Sequence, residues 1–271
     1  MLSKDSLDWK NTSMIFIGAS PILEEEIIEL KQKRNDYFLL ASDTSSYFLY
    51  KNNVVPDAIL SIDSGRGTAY HFRSDFPQDI PIFTWLGGNK EIFLRKNPIY
   101  LIFTSYPFDQ LLSNYLQEFM ILKNSSLNIS GMALSIAESM DILDFGFSGI
   151  SFSSFNSKSH CRATGYESYI LSQLYRTKTM EMYSPGNYKS KISNKNQIAR
   201  DNLKNSKYNY KNFKEVNPSF NSNFKIKKSM VLKKDLKYFF KIINQENIIN
   251  QLSAEIEVQT KLIKRYLNSL L

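Results

Sequence analysis

Three short apolar runs, at residues 14–18, 37–42 and 55–62, alternate with two stretches of helical character. That order constrains the fold more than any other feature of the chain. The first run, Met14-Ile-Phe-Ile-Gly18, is continuous rather than alternating, as in a strand buried on both faces. It stops at Gly18-Ala-Ser-Pro21, a small-residue turn. Pro21 suits the first turn of a helix. Leu23, Ile27, Ile28 and Leu30 follow near helical spacing, with Glu24, Glu25 and Glu26 where the helix dipole favours acids. The second run is stopped by Asp43-Thr-Ser-Ser46, a short helix covers about 45–51, and the third run ends at Asp63-Ser-Gly65. Strand, helix, strand, helix, strand within about fifty residues is the pattern of a parallel sheet with right-handed crossovers. The expected fold is therefore α/β: a Rossmann-like open, mostly parallel sheet flanked by helices, with a helical C-terminal segment.

Further strands are expected at 80–85, 99–104 and 147–152, and helices at 108–122, 131–143 and 166–174. After about residue 186 the composition changes. Fifteen Lys/Arg against three acids lie between Gly186 and Lys241, which leaves 19 against 23 for the rest of a chain whose net charge is +8. The basicity thus belongs to one segment, and a nucleic-acid partner is not expected of the whole protein. Three regions follow: an α/β domain over 1–185, a basic Asn/Lys-rich linker over 186–228, and C-terminal helices over 229–271, drawn from apolar positions at 233–243 and 246–270.

With 42% hydrophobic and 14% aromatic residues the chain can bury a substantial core. The single cysteine, Cys161, excludes an internal disulfide, and one Cys with two His (His71, His160) argues against a zinc cluster. No secretory signal and no apolar stretch approaching the ~20 residues of a bilayer span is present. The expected setting is a reducing, cytoplasmic one.

In an open parallel sheet, ligands bind outside the carboxyl ends of the strands. Gly18, Ala19, Ser20 and Pro21 form a turn at a helix N-terminus, a place that favours phosphate. Asp43 and Thr44 follow the second strand, where nucleotide folds often hold ribose; the same residues also read as a helix cap. Asp63 closes a buried apolar strand, where its charge needs water, a partner or a ligand. Gly131, after Asn128-Ile-Ser, opens a helix and offers amide donors. His160, in the polar loop Asn156-Ser-Lys-Ser-His-Cys161, is a candidate general base. His71, in Ala69-Tyr-His-Phe-Arg73, is a weaker candidate. No P-loop lysine motif, nucleophile elbow or Asp-X-Asp metal motif occurs, and no metal ligands are assigned.

The order of these pieces resembles the motility accessory factor (Maf) family of flagellin glycosyltransferases. That family's domain is also similar to archaeal 6-hydroxymethylpterin diphosphokinases and, more distantly, to bacterial sialyltransferases. The resemblance spans about 12–185 and rests on Gly18-Ala-Ser-Pro-Ile-Leu23, Ala41-Ser-Asp-Thr44, Pro56-Asp through Asp63, Gly131, the strand near 147–152 and Lys158-Ser-His160. Ser20 and Ile22 depart from the family's Gly and Ser, and Ser151 stands where an Asp is common. A large N-terminal region of the family has no counterpart in this sequence. The resemblance implies a nucleotide-sugar donor, a CMP-linked nonulosonic acid, and a flagellin Ser/Thr acceptor. Gly18, Ala19, Ser20, Pro21, Asp43, Thr44, Asp63 and Gly131 would then hold the nucleotide and His160 would be catalytic. Two alternatives stand beside it: a pterin diphosphokinase-like enzyme using ATP and magnesium, and a degenerate, non-catalytic interaction domain.

Overall fold

β1 (Ser13–Ile17) is buried along its whole length, which is why its sequence is an unbroken apolar run. Its side chains alternate between two layers. Met14 and Phe16 join Phe38, Leu40, Phe145 and Phe147 on one face, while Ile15 and Ile17 join Leu39 and Ala41 on the other. The computed structural model describes residues 9–72, 75–106, 109, 121–123, 128–152, 158–179, 182 and 194–221.

From β1 the chain runs through α1 (Leu23–Gln32), β2 (Phe38–Ser42), α2 (Asp43–Lys51) and β3 (Ala58–Leu60). A 3-10 turn, Arg66–His71, leads on to β4 (Ile82–Thr84), α3 (Lys90–Phe93) and β5 (Ile99–Leu101). Then come β6 (Phe103–Thr104), β7 (Ile121–Leu122), α4 (Ile129–Ser139), β8 (Asp144–Ser148), α5 (Gly165–Leu171), α6 (Asn194–Lys204) and β9 (Lys211–Asn212). The sheet order is β5-β4-β3-β2-β1-β8-β9, and every neighbouring pair is parallel. The fold is thus the expected α/β sheet with helices on it. Among the described residues, no helix is long and apolar enough to cross a membrane.

α1 buries Leu23, Glu26, Ile27 and Leu30, whereas Ile28 is exposed, contrary to its expected place on the apolar stripe. Glu26 takes that inward position because three groups satisfy its carboxylate. Ser148 Oγ and the Gly149 N–H donate to Oε2 at 2.6 and 2.8 Å, and Asn212 Nδ2 donates to Oε1 at 3.2 Å. α4 begins two residues before the expected start because Asn128 caps it, its Oδ1 accepting from the Gly131 N–H at 2.8 Å. It stops at Ser139, before the expected 143: Asp141 is left-handed (φ 53°) and Ile142 N–H returns to Ala137 O at 3.0 Å.

Four expectations are corrected. The strand placed at 147–152 is β8, which lies earlier and ends where Gly149 turns with φ 63°. The strand at 99–104 is split at Ile102, its second half pairing with β7 in a separate two-stranded sheet. Ile121 and Leu122, expected at a helix end, are that partner strand; the rest of 108–122, Asp109 apart, lies outside the described residues. The fourth correction concerns the basic linker. Residues 194–221 form α6, the edge strand β9 and a 3-10 turn, burying Ala199, Leu203, Tyr208, Phe213 and Val216. Lys211 pairs with Asp144 at 2.9 Å, so the edge strand is also held to β8 by an ion pair. The expected C-terminal helices lie outside the described residues.

Candidate active site

Strand order reverses at β1: β2 to β5 extend on one side, and the chain returns to place β8 on the other. Such a switch point opens a crevice beyond the carboxyl ends of the two strands. Here the turns after β1 and β8 are stitched together. Gly18 N–H donates to Ser148 O at 2.9 Å, and Ser20 N–H to Gly149 O at 2.8 Å. Both glycines are needed for this approach, since a Cβ on Gly18 would strike the Ile150 side chain and one on Gly149 would meet Gly18 O. Glu26 holds the second turn from below through the Gly149 N–H.

A cleft of about 450 Å³ lies above these turns. Gly18, Ala19 and Ser20 form one wall, and Ser42 and Thr44 follow from β2 and α2. Asn128, Ile129 and Ser130, at the start of α4, face the turn 149–152 and the pair Ser159–His160. Asn196 of α6 completes the lining and donates Nδ2 to Phe152 O at 2.9 Å. The lining contains hydroxyls, amides, four apolar side chains (Ala19, Ile129, Ile150 and Phe152) and one imidazole, with no carboxylate and no Lys or Arg.

Of the nine residues singled out in the sequence, Gly18, Ala19, Ser20, Thr44 and His160 line the cleft. Pro21 is buried at the start of α1 instead. Gly131 lies one residue beyond the lining, and its amide is engaged by the Asn128 cap. The amide-rich turn is less open to phosphate than expected, because Gly18 and Ser20 direct their N–H groups at β8-turn carbonyls. Asp43 is buried behind the cleft. Its Oδ2 accepts from Ser61 Oγ at 2.5 Å, and its Oδ1 accepts from Thr44 N–H and Oγ1 at 2.7 and 3.1 Å. The helix cap is Ser42, whose hydroxyl accepts from Ser45 N–H. Asp43 therefore orients Thr44 and does not itself line the cleft. Asp63 is exposed and outside the lining, and its backbone carbonyl accepts from Thr68 Oγ1 at 3.3 Å.

His160 is positioned by its loop. Cys161 N–H donates to Ala19 O at 2.8 Å, Arg162 N–H to Glu24 Oε1 at 2.8 Å, and Lys158 Nζ reaches Glu24 at 3.3 Å. The ring lies 4.5 Å from that of Tyr166, and Nδ1 is 2.9 Å from Ser159 Oγ. Burial, with a smaller contribution from the charge of His71, pushes the His160 pKa down to about 4, so the imidazole is neutral near pH 7. Cys161 is buried and its thiol is pushed up to about 12 by burial, which makes it unreactive.

His71, the weaker candidate in the sequence, is the residue that reading undervalued. It is buried, with Nε2 at 3.3 Å from Thr44 Oγ1. With the Thr44 proton directed to Asp43, that oxygen accepts from His71 Nε2–H and leaves Nδ1 bare; Nδ1 has no partner among the described residues. Burial lowers the His71 pKa, while Asp43 and Asp63 act in the opposite direction. Ser20 and Ser151, the two positions that depart from the resembled pattern in the cleft, touch each other with their Oγ atoms 2.6 Å apart.

Among the described residues, no group of three His, Cys, Asp or Glu is placed to hold a metal ion. The magnesium of a diphosphokinase therefore finds no protein carboxylate in this lining.

A parallel α/β sheet with a neutral switch-point cleft defines the class. The family follows from the sequence: the model described as 6-hydroxymethylpterin diphosphokinase MptE-like matches residues 2–156, more than half of the 271, and the chain belongs to that family. Among solved structures, the Maf glycosyltransferase from Magnetospirillum magneticum AMB-1 is similar at 15% identity and a TM-score of 0.48. The match covers 57% of this chain and 25% of that one, so this chain spans about a quarter of its length. No curated protein sequence matches.

Proposed function

We propose that the protein is a glycosyltransferase of the motility accessory factor type, moving a nonulosonic acid from its CMP conjugate to Ser or Thr hydroxyls of flagellin. The observation that supports this reading best is the character of the switch-point cleft. Hydroxyls, the start of α4 and a neutral imidazole converge there without a carboxylate. Such a lining suits a donor that already carries its leaving group. The hydroxyls of Ser20 and Thr44 and the first turn of α4 would hold the nucleotide, with Asp43 and His71 fixing Thr44 from behind.

In the transfer, the acceptor oxygen forms a bond to the anomeric carbon, and the bond from that carbon to the phosphate oxygen breaks. CMP departs with the electron pair, and the hydroxyl proton passes to His160. An anionic donor beside His160 favours the protonated ring and raises its basicity from the low value of the ligand-free cleft. The pterin diphosphokinase reading takes its support from the family's description, but the cleft lining supplies no acid for magnesium.

The test is to incubate the purified chain with a CMP-activated nonulosonic acid and unmodified flagellin and read intact mass. The proposal expects a mass gain equal to the sugar, lost in His160→Ala. No gain, with magnesium-dependent phosphoryl transfer from ATP to a hydroxymethylpterin instead, would move the assignment to a diphosphokinase. Neither activity would leave a non-catalytic interaction domain.

A further inference from the structure

A second and larger cleft, about 880 Å³, lies beside the Arg66–His71 turn. Arg66, Ala69 and Tyr70 of that turn form one wall, while Lys90, Leu94, Arg95 and Lys96, in and just after α3, form another. Four cations therefore face this cleft against one acid, Glu91, which sits 3.9 Å from Lys90 Nζ. Concave walls concentrate such a field.

Arg95 is the most informative of the four. Its guanidinium is half-buried over the Phe72 ring, 5.1 Å from the centroid. Nε donates to Asn97 Oδ1 at 2.9 Å and Nη1 to Phe72 O at 3.4 Å. Asn97 is itself locked, donating to Pro77 O at 3.0 Å and Ile80 O at 2.9 Å. The group is thus rigid before any ligand arrives. Its remaining donors have no partner among the described residues, and no carboxylate pairs with it. Burial alone draws its pKa down, as it does for a cation without a counter-ion. A planar guanidinium held this way matches the paired oxygens of a phosphate or carboxylate.

We propose that this cleft is a second binding site, for a small ligand carrying a phosphate or carboxylate, with the oxyanion held by Arg95 and the exposed Arg66, Lys90 and Lys96 and the carbon skeleton lying against Tyr70 and Leu94. It is distinct from the switch-point cleft and does not depend on the transfer reaction proposed for it. The two share the Arg66–His71 turn: Arg66 and Tyr70 face one cleft, and His71 reaches Thr44 of the other.

The test is calorimetric titration of the full chain with inorganic pyrophosphate, with citrate and, separately, with CMP. The proposal expects saturable binding of at least one of the two oxyanions. Tighter pyrophosphate assigns a phosphorylated ligand, and tighter citrate a carboxylated one. The triple variant Arg66→Gln/Lys90→Gln/Lys96→Gln changes exposed side chains only and should weaken that binding about tenfold or more, leaving CMP binding as it was. Arg95→Lys keeps the charge, loses the fork, and should also weaken it. No saturation below about 10 mM, or an unchanged affinity in the triple variant, would overturn the second site. So would displacement of CMP by the oxyanion in direct competition. Oxyanion binding without CMP binding would instead remove the nucleotide reading of the first cleft and leave this one standing.

Discussion

The cleft beyond β1 and β8 is lined by hydroxyls, amides and one imidazole, whereas the cleft on the far side of the Arg66–His71 turn is ringed by four cations. The two are built by different means. The first is made where strands end, and its groups are fixed by hydrogen bonds from distant parts of the chain: Glu26 to the Gly149 turn, His71 to Thr44, Ala19 to the Cys161 loop. The second is made by a 3-10 turn and the one-turn helix α3, and its most rigid member is a single arginine. Fixed neutral dipoles favour chemistry, because they need not reorganise when charge moves. Exposed cations favour capture from solution and are sensitive to salt.

Substitutions can break or sharpen that contrast. The largest effect is expected from His160→Ala, which should lower sugar transfer about 100-fold or more while CMP still binds, as measured by initial rates and titration. An equal loss of binding would make His160 a ligand-holding group instead. Gly165→Ala comes next. A Cβ there falls on the backbone of Tyr70 and His71, the turn common to both clefts. Denaturant unfolding should register a loss of about 1–3 kcal/mol, with weaker binding at both sites. Raising the salt from 50 to 200 mM should then weaken oxyanion binding several-fold in the wild type and much less in the triple variant.

The smallest effect is on stability as a function of pH. His160 titrates near 4 in the folded protein against an ordinary 6.5, so its contribution is present in full above pH 6.5 and is lost as pH falls toward 4. His71, also lowered, acts in the same direction. Asp109, pushed up to about 6 by burial, acts in the opposite sense, gaining stability as pH falls through 6. The unfolding midpoint measured from pH 8 to pH 5 should fall less steeply in His160→Asn than in the wild type.

The central strands were legible because burial on both faces leaves an unbroken apolar run, as in Met14–Ile17. β8 was misplaced because Gly146 interrupts its run. That glycine leaves room for Val216, which comes from a segment whose composition suggested a linker. Leu203, Tyr208, Phe213 and Val216 follow no helical or strand period, and only the open edge of the sheet makes them a core. In the cleft, Gly18, Ser20, Thr44 and His160 could be found because each follows a strand. Asn196 could not, and His71 stood only as a weaker candidate, since their relevance lies in contacts to Phe152 and Thr44, far away in the chain. Asp43 looked like a ligand acid and is an anchor, and so is Asp57, which the sequence showed only as part of the Pro56-Asp of the resembled pattern. Asp57 accepts from Leu39 N–H at 2.8 Å and pairs with Arg34 at 2.9 Å.

The central claim, that the switch-point cleft holds a nucleotide without a protein-bound metal, is tested most directly by thermal unfolding with CMP or ATP, each with and without magnesium, in the wild type and in Thr44→Val. A ligand at a hundred times its dissociation constant stabilises by about 2.7 kcal/mol, well within reach of such a scan. The account predicts a shift with CMP that is independent of magnesium and reduced in Thr44→Val. A shift that requires ATP and magnesium together, unaltered by Thr44→Val, would contradict it.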